Sequence, residues 1–316
     1  MNLNKIKLLA GDASFRKFYR SSNNSIFVFA NKNKYVNLVV YEAINRCLNK
    51  NKVKAPKLKK EFYNKNYIEI EDLGDNSIFK ILKKKKNKLN IYFNIIKTLK
   101  LMQKINFKSI KTFKRKKYTI PRYTKNKLLS EAKLFLEWYL PRVLKKKKIK
   151  KEKNHINNIF DNLYKQLKLN KQVFVHRDFH VSNMIFHQKK IYLIDSQDAV
   201  YGNIAYDLAS LIDDVRLKTS KTLKNKIFKM YTKLNSSIDE KKLKNDFEIL
   251  SVLRNLKIIG IFTRLAIRDK KKQYIKFIPY AWKLIEQRTE NNKKFIELKI
   301  ILDKYFSKKL RNKYEN

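Results

Sequence analysis

From Val173 to Arg216 the chain reads VFVHRDFHVSNMIFHQKKIYLIDSQDAVYGNIAYDLASLIDDVR. Val173, Phe174 and Val175 are a short β-branched and aromatic run, the composition of a strand, and they deliver His176, Arg177 and Asp178 to its end. Asn183 follows Asp178 by five positions in an irregular loop. Met184 to Phe186 and Ile191 to Ile194 read as two further strands around His187, Gln188, Lys189 and Lys190, which makes a hairpin. A hairpin folds its ends back together, so Asn183 before it and Asp195 after it come within reach of one cation although they lie twelve residues apart. Hard oxygen ligands of this kind suit Mg²⁺, which keeps several waters and takes its remaining ligands from phosphate. Asp178 is then placed to accept a proton from the hydroxyl of an acceptor. One base, two metal ligands and a phosphate cradle suffice for phosphoryl transfer, whose transition state is stabilised mainly by positioning and charge.

The neighbours of that set carry two readings each. His176 and Arg177 flank the base and belong with it in the catalytic group, and His176 reads as a buried residue bracing the loop rather than a proton carrier. His180 either touches substrate or caps the loop. Asp207 opens the apolar run Leu208 to Val215, so it is a helix cap, a carboxylate that reaches back to the backbone of the catalytic loop, or both.

The strings HRDFHVSN, LIDSQDA and AYDLASL resemble the aminoglycoside phosphotransferase and choline kinase family, a branch of the protein-kinase-like fold. Within it, Asp195-Ser196-Gln197-Asp198 is similar to the bacterial anomeric kinases for N-acetylmuramate and N-acetylglucosamine, which feed recycled amino sugars back into cell-wall synthesis. The resemblance implies a bilobal α+β fold. Residues 1–72 would form a nucleotide-binding lobe with an antiparallel sheet, and residues 73–316 a mostly helical catalytic and substrate-binding lobe. It implies ATP and Mg²⁺ as cofactors and a small-molecule acceptor, the anomeric hydroxyl of an N-acetylated amino sugar. Asn183 and Asp195 would hold the metal, and Asp178 would serve the acceptor.

Further matches lie outside the central stretch. Leu8 to Arg20, with GDASFRKFYR inside it, resembles the opening of the amino-sugar kinases, where Ser14, Phe15, Arg16 and the loop backbone would cradle phosphate. Gly11 is the only glycine of that loop, so the glycine-rich signature of protein kinases is missing. The strand Tyr67 to Ile70 and the following Glu71-Asp72-Leu73-Gly74-Asp75 resemble the hinge that binds adenine, which brings in Glu69 and Glu71. His180, Asp198 and Arg264 fall on the acceptor side. Arg264 and Arg268 share a helical face, and pairing with Asp213, Asp214 or Asp269 is the quieter role for them. Asn37 to Asn49 is an amphipathic helix carrying Glu42. No V-A-I-K strand precedes it, Lys32 and Lys34 are weak substitutes for the missing lysine, and Glu42 reads as a solvated helix residue. Trp138 reads as core with a sugar contact as the other possibility, and Tyr280 stands where the relatives carry Arg after a Pro.

Composition narrows the classes. At 316 residues and 43% hydrophobic the chain has material for two lobes. Its formal charge of +49 would point to nucleic acid, but Lys is spread through every segment alongside abundant Asn and Ile, with 4 Gly and 4 Pro. That is the mark of AT-rich coding, so nucleic-acid binding is not expected. With 27 acidic against 76 basic residues, a polycationic aminoglycoside is a poor acceptor unless Asp198, Asp213 and Asp214 gather locally. One cysteine, Cys47, fits a reducing compartment, and no run approaches a membrane span. The expectation is a cytoplasmic enzyme without membrane or obligate protein partner. Two alternatives stand beside it: a kinase-like phosphotransferase for another small acceptor such as an aminoglycoside, choline or homoserine, and a non-catalytic basic domain that binds nucleotide or nucleic acid.

Overall fold

The structure is a computed structural model that describes residues 6–9, 16–31, 36–107, 109–144 and 146–314. By contacts the chain divides into two compact units, Met1–Arg122 with Gln172–Tyr201, and Tyr123–Lys171 with Gly202–Asn316.

The first unit is built on an antiparallel sheet of β1 (Ile6–Leu9), β2 (Lys17–Ser21), β3 (Ser25–Phe29), β4 (Leu58–Phe62) and β5 (Tyr67–Glu71), in the order β1-β2-β3-β5-β4. Alternation sorts the strand residues between faces. Ile26, Val28, Ile68 and Ile70 point into a core completed by Leu38 and Tyr41 of α1 (Val36–Lys50). The other face carries an aromatic cluster in which Tyr67 stacks on both Phe29 and Phe62 with ring centroids 4.7 Å apart. Ser77 caps α2 (Ile78–Lys84) by accepting from Lys80 N. In α3 (Leu89–Gln103), Tyr92, Ile95, Ile96, Leu99 and Met102 are buried, apolar residues at three- and four-residue spacing along one face. A short β6–β7 hairpin (Ser109–Lys111, Lys117–Thr119) follows.

Residues 172–201 rejoin this unit through β8 (Gln172–Val175), the hairpin β9 (Met184–His187) and β10 (Lys190–Leu193), and the start of β11 (Val200–Asn203). Main-chain bonds fasten it there: Phe186 N donates to Asn76 O at 2.8 Å and Leu193 N to Lys54 O at 2.8 Å. These bonds hold residues 172–201 in the same compact unit as the sheet. The hairpin packs with α2 and the segment after α1.

The second unit is helical. It holds α4 (Lys125–Ala132), a π-helical turn at Phe135–Tyr139, α5 (Lys146–Lys165), α6 (Tyr206–Ile212), α7 (Lys221–Leu234), α8 (Glu240–Ile267), α9 (Ile278–Thr289), α10 (Ile296–Tyr305) and α11 (Lys308–Arg311). α8 is buried over most of its length, so it shows little amphipathic patterning. Gly260 sits where a Cβ would lie 2.3 Å from Leu134 C, which lets the backbone of the π turn press against α8. The buried Trp282 packs beside Phe135, Tyr139 and Phe306. Trp138 is only half-buried. Tyr280 accepts from Thr219 N at 3.1 Å and lies under Lys224.

Candidate active site

The loop from His176 to Asn183 is wound by its own backbone. His180 N donates to Asp178 O at 3.0 Å, Asn183 N to His180 O at 2.9 Å, and the Asn183 side-chain nitrogen returns to Asp178 O at 3.1 Å. That bond turns the amide nitrogen of Asn183 to the carbonyl and leaves its oxygen as the atom that could take a cation. The β9–β10 turn is made by Gln188 and Lys189, both at positive φ (48° and 56°), the two-residue hairpin turn whose twist suits flanking strands. At the far end of the hairpin Ile194 N donates to Asn183 O at 3.0 Å. That bond sets the residue before Asp195 against the backbone of Asn183.

Two residues here hold a left-handed backbone without being glycine: Arg177 at φ 72° and Asp195 at φ 64°. Conformations of this kind cost roughly 1–3 kcal/mol each and persist where surrounding bonds over-determine them. The bonds are visible. His176, buried, approaches Ile194 O with Nε2 at 3.1 Å, and since a carbonyl only accepts, that nitrogen carries the proton. Burial holds the His176 imidazole below its ordinary pKa, against the opposing pull of Asp178 and Asp195, so it is a neutral brace. Arg177 donates to Asp198 O at 3.3 Å. Asp178 is half-buried on the loop between them.

Asp195 is the meeting point of a larger network. Its Oδ1 accepts from Arg16 Nη2 at 2.5 Å and from Gln197 Nε2 at 3.1 Å. Arg16 Nη1 also donates to Gln197 Oε1 at 2.6 Å, and Gln197 Nε2 to Asp198 Oδ2 at 2.9 Å. The Arg16 guanidinium lies 5.3 Å from the Tyr41 ring centroid. One turn along α1, Asn45 Oδ1 accepts from Ser196 Oγ at 2.6 Å. Asn183 and Asp195 thus supply one amide oxygen and one carboxylate, a hard donor set that fits Mg²⁺ with phosphate and water completing the shell.

Other expected residues fall as follows. Ser14 and Phe15, and the lysines Lys32 and Lys34, lie outside the described residues. Glu69 is inside the ladder, opposite Phe27 on one side and Lys60 on the other, and Glu71 N donates to Lys57 O at 2.9 Å. Their main-chain groups are therefore committed, and in the segment beyond them, Asp72 to Gly74, Gly74 N donates to Asp72 Oδ1 at 2.8 Å. That segment is itself pinned, because Arg20 donates to Asp75 at 2.7 Å and to Asp72 at 3.0 Å. His180 is buried beside Asn183, its Nε2 3.5 Å from the Asn183 amide nitrogen. Asp198 is half-open to solvent.

Three expectations are corrected. Glu42 is not a solvated residue: it is 5% exposed and pairs with Arg46 at 2.7 Å, while Arg46 also donates to the carbonyl of Lys111. The short strand β6 closes over this part of α1, which periodicity alone could not foretell. In the second unit, Asp207 is fully buried in the first turn of α6, but the cap position is Ala205, so Asp207 is not the cap. There too, Arg264 does not take Asp213. That carboxylate is bound by Lys224 at 2.7 Å, Arg288 at 2.9 Å and Ser251 at 2.5 Å, whereas Arg268 does pair with Asp269 at 2.8 Å, as expected of it. Sequence reasoning missed Tyr41 and Asn45 as supports of the 195–197 segment. Their one signal was a shared helix face at four-residue spacing.

A five-stranded antiparallel sheet with one helix against it, with a loop that bears Asp178 and Asn183 and a hairpin that leads to Asp195, goes with the protein-kinase-like α+β fold, and the likeness to known proteins makes the chain a small-molecule kinase. The sequence model of the phosphotransferase enzyme family matches residues 5–240, and the chain belongs to that family. It is 25% identical to the N-acetylmuramate/N-acetylglucosamine kinase of Neisseria meningitidis serogroup B over 284 residues, 85% of this chain and 81% of that protein. The kinase of the same name from Pseudomonas putida is 24% identical over 293 residues, 89% of this chain and 84% of the relative. Among solved structures, a choline/ethanolamine kinase family protein from Mesorhizobium loti superposes with a TM-score of 0.64 at 11% identity, over 94% of this chain and 92% of that one. The GDP and kanamycin complex of APH(2")-IIia gives 0.64 at 13% identity, over 92% and 95%. Among the described residues no helix is long and apolar enough to cross a membrane.

Proposed function

We propose that this kinase transfers the γ-phosphoryl group of ATP to the anomeric hydroxyl of N-acetylmuramate or N-acetylglucosamine. The observation that carries the phosphotransfer is the bond from Ile194 N to Asn183 O, which draws the two ends of the hairpin together beside the loop that bears Asp178. The names of the relatives, whose likeness runs over most of the chain, support the amino sugar as acceptor.

In this reading Asp178 accepts the hydroxyl proton as the acceptor oxygen bonds to the γ-phosphorus, while the bond from that phosphorus to the β–γ bridging oxygen breaks and ADP departs. Asn183 holds the loop so that Asp178 keeps its direction, and His176 and Arg177 fix the strained turn on either side. Asn183 and Asp195 would hold Mg²⁺, which would supply positive charge to offset that of the phosphates. Asp72 to Gly74 would meet the adenine, Ser14 and Phe15 the phosphates, and His180 and Asp198 the acceptor. Asp207 would be structural. The charge of +49 favours anionic ligands in general.

The test is transfer from ATP and Mg²⁺ to a panel of N-acetylmuramate, N-acetylglucosamine, choline, homoserine and kanamycin, with the product position read by phosphorus NMR. A sugar 1-phosphate is expected, and Asp178→Asn should lower its formation by roughly 10²–10⁴-fold without changing nucleotide binding. Phosphate found on another acceptor would end the amino-sugar assignment. Unaltered transfer by Asp178→Asn would end the assignment of the base.

A further inference from the structure

Resting on the kinase reading above, we infer that Arg16, with Gln197, is a positioning clamp on the metal-binding aspartate and not a ligand of nucleotide phosphate. The guanidinium reaches Asp195 across 179 residues of sequence and holds its Oδ1 at 2.5 Å, where Gln197 also donates at 3.1 Å. Two donors on Oδ1 leave Oδ2 as the oxygen for a cation. Arg16 itself is covered, with 3% of its side chain exposed against 40% for Asp195. The aspartate is open on one side and gripped on the other by a cation that solvent scarcely reaches.

The rest of the neighbourhood fits a fixed clamp. The guanidinium is flanked by the rings of Tyr41 at 5.3 Å and Phe18 at 5.8 Å. Its second nitrogen is tied to Gln197 Oε1 at 2.6 Å, and Gln197 reaches on to Asp198. Asp195 stands at φ 64°, a conformation that needs outside support. In the familiar kinase arrangement a strand lysine pairs with a helix glutamate. In this protein β3 reads SIFVF, without lysine, and Glu42 of α1 is occupied by Arg46. The helix addresses the catalytic segment instead through Tyr41 against Arg16 and through Asn45 to Ser196. Partners that orient metal ligands typically set metal affinity or activity by a factor of about 10–100.

The experiment separates metal affinity from nucleotide affinity in full-length protein. Mn²⁺ binding is followed by electron paramagnetic resonance with a non-hydrolysable ATP analogue at saturation, and metal-free analogue binding is followed by calorimetry in EDTA. Arg16→Gln should weaken Mn²⁺ about tenfold or more, leave metal-free nucleotide binding unchanged, and raise the Mg²⁺ needed for half-maximal transfer without moving KM for the acceptor. Arg16→Lys should recover part of the metal affinity, which a folding defect would not allow. A fall in metal-free nucleotide affinity with Mn²⁺ binding intact would overturn the clamp and make Arg16 a phosphate ligand. Loss of nucleotide in Lys32→Ala or Lys34→Ala, with Arg16→Gln weakening Mn²⁺ alone, would support it. If the unaltered protein binds no nucleotide at all, the kinase reading falls and the clamp with it. If it binds nucleotide and Arg16→Gln changes neither affinity, the clamp alone falls.

Discussion

Asp195 and Asp213 are both aspartates held by arginine, one in each unit, and they differ in what surrounds the rest of the carboxylate. Asp213 is 1% exposed and surrounded: Lys224 and Arg288 bind it from α7 and α9, and Ser251 from α8. Asp195 has Arg16 and Gln197 on one oxygen and solvent near the other. A closed charge network has no room for a ligand and can act only on the fold, whereas an open one keeps an unspent oxygen and can act on something that arrives. Burying charge is costly unless every partner is present. The same substitution should therefore have opposite consequences at the two sites.

Asp195→Asn should cut phosphoryl transfer on the order of 10³-fold, about 4 kcal/mol of barrier. The amide oxygen can still accept from Arg16, so the melting temperature should fall by less than about 3 °C. Asp213→Asn should cost about 3–5 kcal/mol of stability, because it leaves Lys224 and Arg288 facing a neutral group in the interior, with turnover per folded molecule nearly unchanged. Thermal unfolding and active-site-normalised rates on the pair decide the matter. Equal melting losses at both positions would erase the distinction between open and closed networks.

The closed network also carries a pH signature. Burial alone would raise the Asp213 carboxyl, but Arg288 and Lys224 outweigh it and hold the group at about 2, below its ordinary 3.8. Its neighbour Asp214, just as buried, moves the other way, because burial raises it and Arg216 only partly compensates. A depressed carboxyl stabilises the fold above its unfolded pKa and loses that contribution as pH falls through the folded one, here between about 4 and 2. The stability gap between the unaltered protein and Asp213→Asn should thus shrink by about 2 kcal/mol from pH 5 to pH 2. Differencing the two proteins cancels Asp214. A gap that stays constant in urea titrations across that range would mean that the cations do not hold Asp213 down.

Much of this was legible in the chain. Asp178, Asn183 and Asp195 could be read because the hairpin between them is local, and alternation in Met184–Phe186 and Ile191–Ile194 fixes where its ends go even though Gln188-Lys189 is no turn signature. What was not legible depends on partners distant in sequence. Nothing near Arg16 says that it meets a residue 179 positions away, and nothing near Asp213 names Arg288 over the closer Arg264. Gly260 carries no local sign that a π turn will press upon it. Glu42 failed differently: a helix charge is usually a surface charge, and only the strand closing over α1 makes it an exception.

Glu42 gives the finest test of how far the open site extends. If α1 acts on the 195–197 segment through Tyr41 and Asn45, its glutamate is a local brace for Arg46, one turn away on the same helix. Glu42→Gln keeps an oxygen for the Arg46 nitrogen and removes only a charge whose partner is 37% exposed, so it should cost about 0.5–1 kcal/mol of stability. Transfer should stay within about threefold of the unaltered rate at saturating ATP. Arg16→Gln, less than 30 residues earlier, should by contrast change the metal requirement about tenfold. A hundredfold loss of transfer in Glu42→Gln would mean that the carboxylate leaves Arg46 when nucleotide binds and takes a phosphate-holding lysine after all. The boundary of the open network would then have to be redrawn to include it.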